Sequence, residues 1–384
     1  MDEQNISYQS TEHNVTVQDV WKHYSEGTLF NTNISLDEEV HTNENFFIGK
    51  QWEGVVSNGL PTPVFNFLKR VTLFTVASVT TDNLKLQCQP LGNSGAKGHF
   101  YRMVKVVNNE FDSIFEYNKI GNLIREYMRN AAVDGDGCTH TYWDQSIETG
   151  QANKGGIVTE IVENTRVFFG NPNDRRVQSQ PWIIIEMREM VDDLKYKARR
   201  EGLEDWESIS TDNSDRSESE SERYTDNRVT VLRYYYRDRE TGDIWCFDCT
   251  RNIELRHVNT GLKLYPITWL NWDYRQDNYH GQSLISGLIP NQIFVNRAFA
   301  MAMISLMTTA YPKIVYDKTR IPKWSNQVGA AIGINGGDVN NVAKIIDPAQ
   351  ISPQISQFIE TAVNYTQTFL GATPAALGKV RCRV

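Results

Sequence analysis

The sequence predicts an α+β fold: a mixed body, then two antiparallel helices that pinch off a small α/β insert. Three observations predict it. Before residue 281, stretches that alternate apolar and polar residues, such as Leu84–Cys88 and Cys138–Trp143, are interleaved with stretches of helical spacing. Gln282–Met307 is long, apolar and rich in Met and Ala. Gln354–Leu370 then places Ile355, Phe358, Ile359, Ala362, Val363, Phe369 and Leu370 on one side at helical spacing. Between these two helices, residues 311–353 are dense in Pro, Gly and Asn, opening at Tyr311-Pro312 and closing at Ile351-Ser352-Pro353. A helix out, an insert and a helix back make a stalk with a tip, a shape that suits assembly better than catalysis.

Taken in order, residues 1–45 read as a polar, aperiodic and partly disordered segment, apart from a short helix near Val17–Tyr24. Residues 46–281 read as an α+β domain. In it, Val64, Phe67, Leu68, Val71 and Phe74 predict a helix over Val64–Asp82, and Leu84–Cys88 predicts a strand stopped by Pro90. Asp112 is the expected N-cap of a helix running to Ala132, with Ile120, Ile124, Tyr127, Met128 and Ala131 as its buried stripe. The turn Asp134-Gly-Asp-Gly137 ends that helix, and strands follow at Cys138–Trp143, Ile157–Phe169 and Pro181–Met187. Asn171–Asp174 is turn chemistry. Val191–Arg200 is a short helix with Gly202 beyond its end. Glu204–Asn227 is too poor in apolar residues to fold and reads as a flexible acidic loop, centred on Ser217-Glu-Ser-Glu-Ser-Glu222. Val229–Tyr236 and Ile244–Cys249 form a hairpin turning at Gly242. The remainder divides into a first helix at 282–310, an insert at 311–353, a second helix at 354–371 and a tail at 372–384.

The net charge of −8 hides an asymmetry. Gly281–Val384 holds nine Lys/Arg against four Asp/Glu, or +5, which leaves 30 against 43, or −13, before it. An acidic body with a mildly basic stalk argues against a high-affinity DNA binder, which shows a dense basic face. The start of the chain has no secretory signal pattern. The longest uncharged apolar run, Ala298–Ala310, falls short of the roughly 20 residues that span a bilayer.

The search for chemistry returns little. Five scattered cysteines do not make a disulfide framework. Cys246-Phe-Asp-Cys249 lacks the second ligand pair that zinc wants, and on a strand its two thiols face opposite ways. There is no phosphate loop, no H-E-x-x-H and no nucleophile elbow; Gly281-Gln-Ser283 fails that pattern. Asp134-Gly-Asp-Gly137 resembles the start of a calcium loop, but Cys138 and His140 stand where oxygen ligands belong. His140, alternating with Thr139 and Thr141, reads as structural. The sequence calls for no catalytic residue, metal or cofactor.

Together, several motifs resemble the portal (head-to-tail connector) proteins of tailed bacteriophages. Phe47-Ile-Gly-Lys-Gln-Trp52 is similar to the aromatic-x-Gly-x-Gln-Trp element that opens many portals, and Pro63-Val-Phe-Asn66 leads into a helix as in that family. Asp134-Gly-Asp-Gly-Cys138 through Tyr142-Trp-Asp144 resembles the family's helix, glycine turn and strand ending in Trp-Asp. Phe168-Phe-Gly-Asn-Pro172 followed by Pro181-Trp182 resembles a passage in which the family commonly has Asp where this chain has Asn171. Tyr279-His-Gly-Gln-Ser283, Ile289-Pro-Asn-Gln292 and Asn296-Arg297 resemble the entry to its first stem helix.

The resemblance implies a wing for 46–281, a stem for the two helices and a clip for the insert. It implies a structural subunit in a ring of identical copies, twelve in the family, at one capsid vertex of the virion. Double-stranded DNA passes through such a ring without sequence specificity, and the partners are the terminase large subunit, a head-completion or tail adaptor protein, and the major capsid or scaffolding protein. Portals continue past the second stem helix through a tunnel loop, a closing helix and a crown, so 372–384 reads as a truncated tail. Asn296, Arg297, Met301, Met303 and Met307 are then expected at subunit or channel contacts, and Lys313, Lys318, Arg320, Lys323 and Trp324 either touch terminase or DNA or form a solvated face. Two rivals remain: a membrane-associated pore-former using Ala298–Ala310, and a phage enzyme whose site is assembled from distant residues.

Overall fold

The computed structural model describes residues 15–57, 59–81, 86–89, 97–148, 154–212, 227–310, 314–321, 323, 334–336, 343–345, 357, 360–365 and 368. The chain is of the α+β class. It divides into two compact units, Met1–Glu44 with Val76–Ser286, and Asn45–Thr75 with Gly287–Val384.

In the first unit two antiparallel sheets face each other. One has the order β2 (Gly156–Val162), β1 (Asp136–Asp144), β8 (Ile267–Asn271). The other runs β3 (Val167–Phe169), β4 (Trp182–Met190), β5 (Arg228–Arg237), β6 (Ile244–Cys249), β7 (Glu254–Leu262). The strand period of two sorts the side chains. Ile183 and Ile185 of β4, Tyr235 of β5 and Ile244 and Cys246 of β6 point into the core between the sheets, with Cys138 and Ile267 opposite them. Their neighbours Ile184, Leu232, Tyr234, Phe247 and Cys249 point the other way and pack against the helix α1 (Val17–Asn33) through Val20. Both faces of the larger sheet are therefore covered, which is why β4 reads as a continuous apolar run. A third cluster joins Val191, Leu194 and Ala198 of the helix α6 (Val191–Glu201) to Ile209, Val229 and Val231.

Several expectations need correction. The segment read as polar and aperiodic folds as α1 and then α2 (Leu36–Ile48) over its described part. Thr16 and Asp19 make a capping box at the start of α1, and that Thr-x-x-Asp spacing is a local sequence signal for a helix start. The helix expected from Asp112 to Ala132 is two helices, α4 (Lys97–Tyr117) and α5 (Ile120–Asp134). The break falls at Asn118 and Lys119, the latter left-handed at φ 50°. There the Asn118 amide donates to Ile114 O at 2.9 Å and Ile157 O at 2.8 Å and accepts the Thr159 N–H at 2.9 Å, which draws the chain onto β2. Residues 86–88 are not strand; Cys88 is instead held through its backbone N–H and C=O by the Asn108 amide. Of the acidic loop, Trp206 and Ile209 pack in the third cluster, while 213–226 lie outside the described residues. Strands β7 and β8 were not anticipated.

In the second unit, α3 (Phe67–Val79) begins within this unit, and α7 spans Ile289–Ala310. The helix expected from Gln282 starts seven residues later, because Pro290 suits only a first helical turn. Asn45–Thr75, read from sequence as part of the larger domain, groups with α7. Residues 360–365 are helical, and Val363 packs against the buried pair Val295 and Ala298 of α7 together with Phe67 and Phe299. In the insert, β9 (Ile314–Tyr316) pairs antiparallel with β10 (Ala343–Ile345), and Lys313 and Trp324 lie outside the described residues.

Candidate functional site

Helix α7 carries the residues that the sequence singled out. It has 22 residues and a single charged side chain, Arg297. Its inner face is defined by buried amides. Asn296 Nδ2–H donates to Gln51 Oε1 at 2.6 Å, and Asn296 Oδ1 accepts from Gln292 Nε2 at 3.0 Å and from Phe65 N–H at 3.3 Å. Gln292 Nε2–H also donates to Phe65 O at 2.8 Å, and its Oε1 accepts the Leu68 N–H at 3.4 Å, capping the open first turn of α3. Phe65 stacks on Phe299 with ring centroids 4.0 Å apart. Asn296 is thus a buried anchor for the Gln51–Leu68 stretch rather than a surface contact, which corrects the role expected for it. Gln51 and Gln292 complete the anchor, and no local signal marks that pairing.

The other face of α7 is different. Phe294, Arg297 and Met301, spaced to share one side of a helix, are exposed, and so are Met303, Leu306 and Met307 further along; Met301 and Leu306 each show 62% of their surface. Of the insert residues, Lys318, Arg320 and Lys323 are exposed, and Arg320 lies 3.6 Å from Asp317.

Several chemistry-bearing residues of the first unit are engaged in holding the fold together. Asp136, in the glycine turn, accepts from His280 Nδ1–H, Gly281 N–H and Asn271 Nδ2–H, each at 2.7 Å. It ties the start of β1 to the end of β8 and to the segment that follows. At Gly135 and Gly281 the backbones come so close that a Cβ on Gly281 would lie 2.9 Å from Gly135 O and 2.8 Å from Asp273 O. Burial lowers His140, opposed by its bond to Glu160. The neutral ring donates Nδ1–H to Glu160 at 3.1 Å and accepts the Tyr235 hydroxyl hydrogen on Nε2 at 2.8 Å. Cys246 and Cys249 lie in the cores on opposite faces of the sheet, and burial pushes both thiols up to about 12. Among the described residues no group of His, Cys, Asp and Glu is placed to hold a metal ion. Among the described residues, one shallow cleft of about 320 Å³ is lined by Ser210, Asp212, Arg251 and their neighbours, and another by Ser146, Glu189, Lys197 and theirs. In the first, Asp212 is paired with Arg188 at 2.8 Å, and in the second Glu189 is paired with Lys197 at 2.8 Å.

Among the described residues no helix is long and apolar enough to cross a membrane. No protein-family model matches the chain, and no curated protein matches it.

Proposed function

We propose that the chain is a portal subunit, one of a ring of identical copies at a capsid vertex through which double-stranded DNA enters and leaves. The observation that carries this reading is the exposed apolar surface of α7, a helix with one charge: Phe294 and Met301 on one side, and Met303, Leu306 and Met307 around the other side nearer its end. Covering a Met or Leu side chain is worth about 1.5–3 kcal/mol, and this many exposed apolar side chains on one helix mark an interaction surface. Repeating one such contact around an axis closes a ring, and Met side chains adapt to a neighbour's contours. The contact of Val363 with Val295 and Ala298 supports two helices packed as a stem.

In this reading the ring is a passive conduit. The overall charge of −8 disfavours adhesion of DNA to it. Lys318, Arg320 and Lys323 of the insert are the contacts offered to the terminase large subunit, the acidic first unit faces capsid or scaffolding protein, and an adaptor completes the head. Negative-stain microscopy and light scattering of the purified chain test the reading. Closed rings with a central hole support it; a chain that stays monomeric at every concentration overturns it. A membrane-associated protein using the same exposed apolar residues is the second reading, and co-flotation with liposomes is the outcome that would favour it.

A further inference from the structure

The stretch ahead of α3 forms a closed loop in the second unit. Trp52 Nε1–H donates to Pro63 O at 2.9 Å and shuts its base. Val55 N–H donates to Trp52 O at 3.1 Å and Leu60 N–H to Ser57 O at 2.8 Å, so two tight turns shape it. Gly54 and Gly59 stand at φ 75° and 80°, a conformation that side-chain-bearing residues seldom adopt. The tip holds Val55, Val56 and Leu60 in solvent, Val56 with 81% of its surface exposed. A loop preformed by two turns and tipped with aliphatic side chains presents a surface to something else.

What it presents is specific. The only carboxylate between Trp52 and Pro63 is Glu53, which is exposed. On α7, Phe294 and Met301 flank the helix's single charge, Arg297, on the side turned away from the Asn296 anchor. One element is an apolar tip with one negative charge; the other is an apolar face with one positive charge. A closed ring needs two different, mutually complementary patches on every subunit, and both lie in this unit.

Resting on the portal reading, we infer that the 52–63 loop of one copy docks on the outer side of α7 of the neighbouring copy. Val55, Val56 and Leu60 cover Phe294 and Met301, and Glu53 meets Arg297. The apolar contact supplies the affinity, and the opposite charges set register and exclude wrong pairings.

The test is a cysteine pair, Glu53→Cys with Arg297→Cys, in the full chain, oxidised and run on a non-reducing gel beside each single variant. A ladder of covalent dimers, trimers and larger species from the double variant alone is the expected result. Rings whose engineered cysteines join only within one chain, or not at all, overturn the docking while leaving the portal reading standing. Absence of any ring overturns both. Charge reversal gives a second measurement on variants that leave the buried anchor untouched. Glu53→Arg sets like charges together and weakens assembly roughly tenfold or more, and adding Arg297→Glu restores it. A double variant no better than the single one counts against the docking.

Discussion

At the scale of single residues, the first unit depends on carboxylates that the fold has buried. Asp136 is almost wholly enclosed, and both of its oxygens are used, one by His280 and the other by Gly281 and Asn271. Asp136→Asn keeps the shape but replaces one acceptor with a donor facing donors. The expected cost is about 2–4 kcal/mol, read as a lower denaturant midpoint with an unchanged slope. Asp134, two residues earlier, behaves differently. Burial raises its carboxyl to about 7, helped by Glu44, Glu163 and Asp136 and opposed by Arg129, which itself pairs with Glu44. Below the ordinary value of 3.8 the group is protonated in folded and unfolded chains alike. As pH rises from there through 7, the unfolded chain ionises first, so this residue subtracts stability across that window. Asp134→Asn removes the dependence. It matches the parent near pH 3 and exceeds it by about 1–3 kcal/mol at pH 8, allowing for the partial exposure of the carboxyl. A parent protein that loses no ground to the variant between those pH values would contradict this.

At the scale of elements, what the sequence shows depends on how local the cause is. The C-cap of α5 at Gly135 and that of α6 at Gly202 are legible, because a left-handed residue after a helix is a local requirement. The strands β4, β5 and β6 are legible from their apolar content. The edge strand β7 is not: its half-buried positions include His257 and Thr260 as well as Leu255 and Val258, so the alternation with exposed Glu254, Arg256, Asn259 and Gly261 is not written in apolar residues. The break between α4 and α5 is equally silent, because Asn118 leaves helical geometry for a partner 39 residues away. Helix α1 rests on a close approach: a Cβ on Gly27 would come within 2.7 Å of Phe168 Cδ1. Gly27→Ala should therefore lift α1 from the sheet at a cost of about 1–3 kcal/mol, despite the better helix propensity of Ala. Hydrogen exchange of the α1 amides would rise well above that of the β5 amides, and unchanged protection would refute the account.

At the scale of the whole molecule, the exposed apolar positions of α7 separate folding from assembly. Met301→Glu with Leu306→Glu alters only solvent-facing positions and should change stability by less than about 1 kcal/mol in total, measured by thermal melting. The same double variant should abolish rings in negative stain. A variant that melts early, or one that still forms rings, would mean that α7 is an ordinary core helix or that these exposed positions are not the contact.

The α+β class, the long apolar helix of α7 and its solitary Arg297 followed from the sequence alone, since periodicity and composition report how much of each segment must leave water. The partner that takes Asn296 did not. Side-chain amides join Gln51, Gln292 and Asn296 across more than two hundred residues of chain, and a hydrogen bond leaves no trace in the spacing of its neighbours. Tertiary structure alone made Asn296 an inner anchor while leaving Arg297, one residue further on, exposed on the outer side.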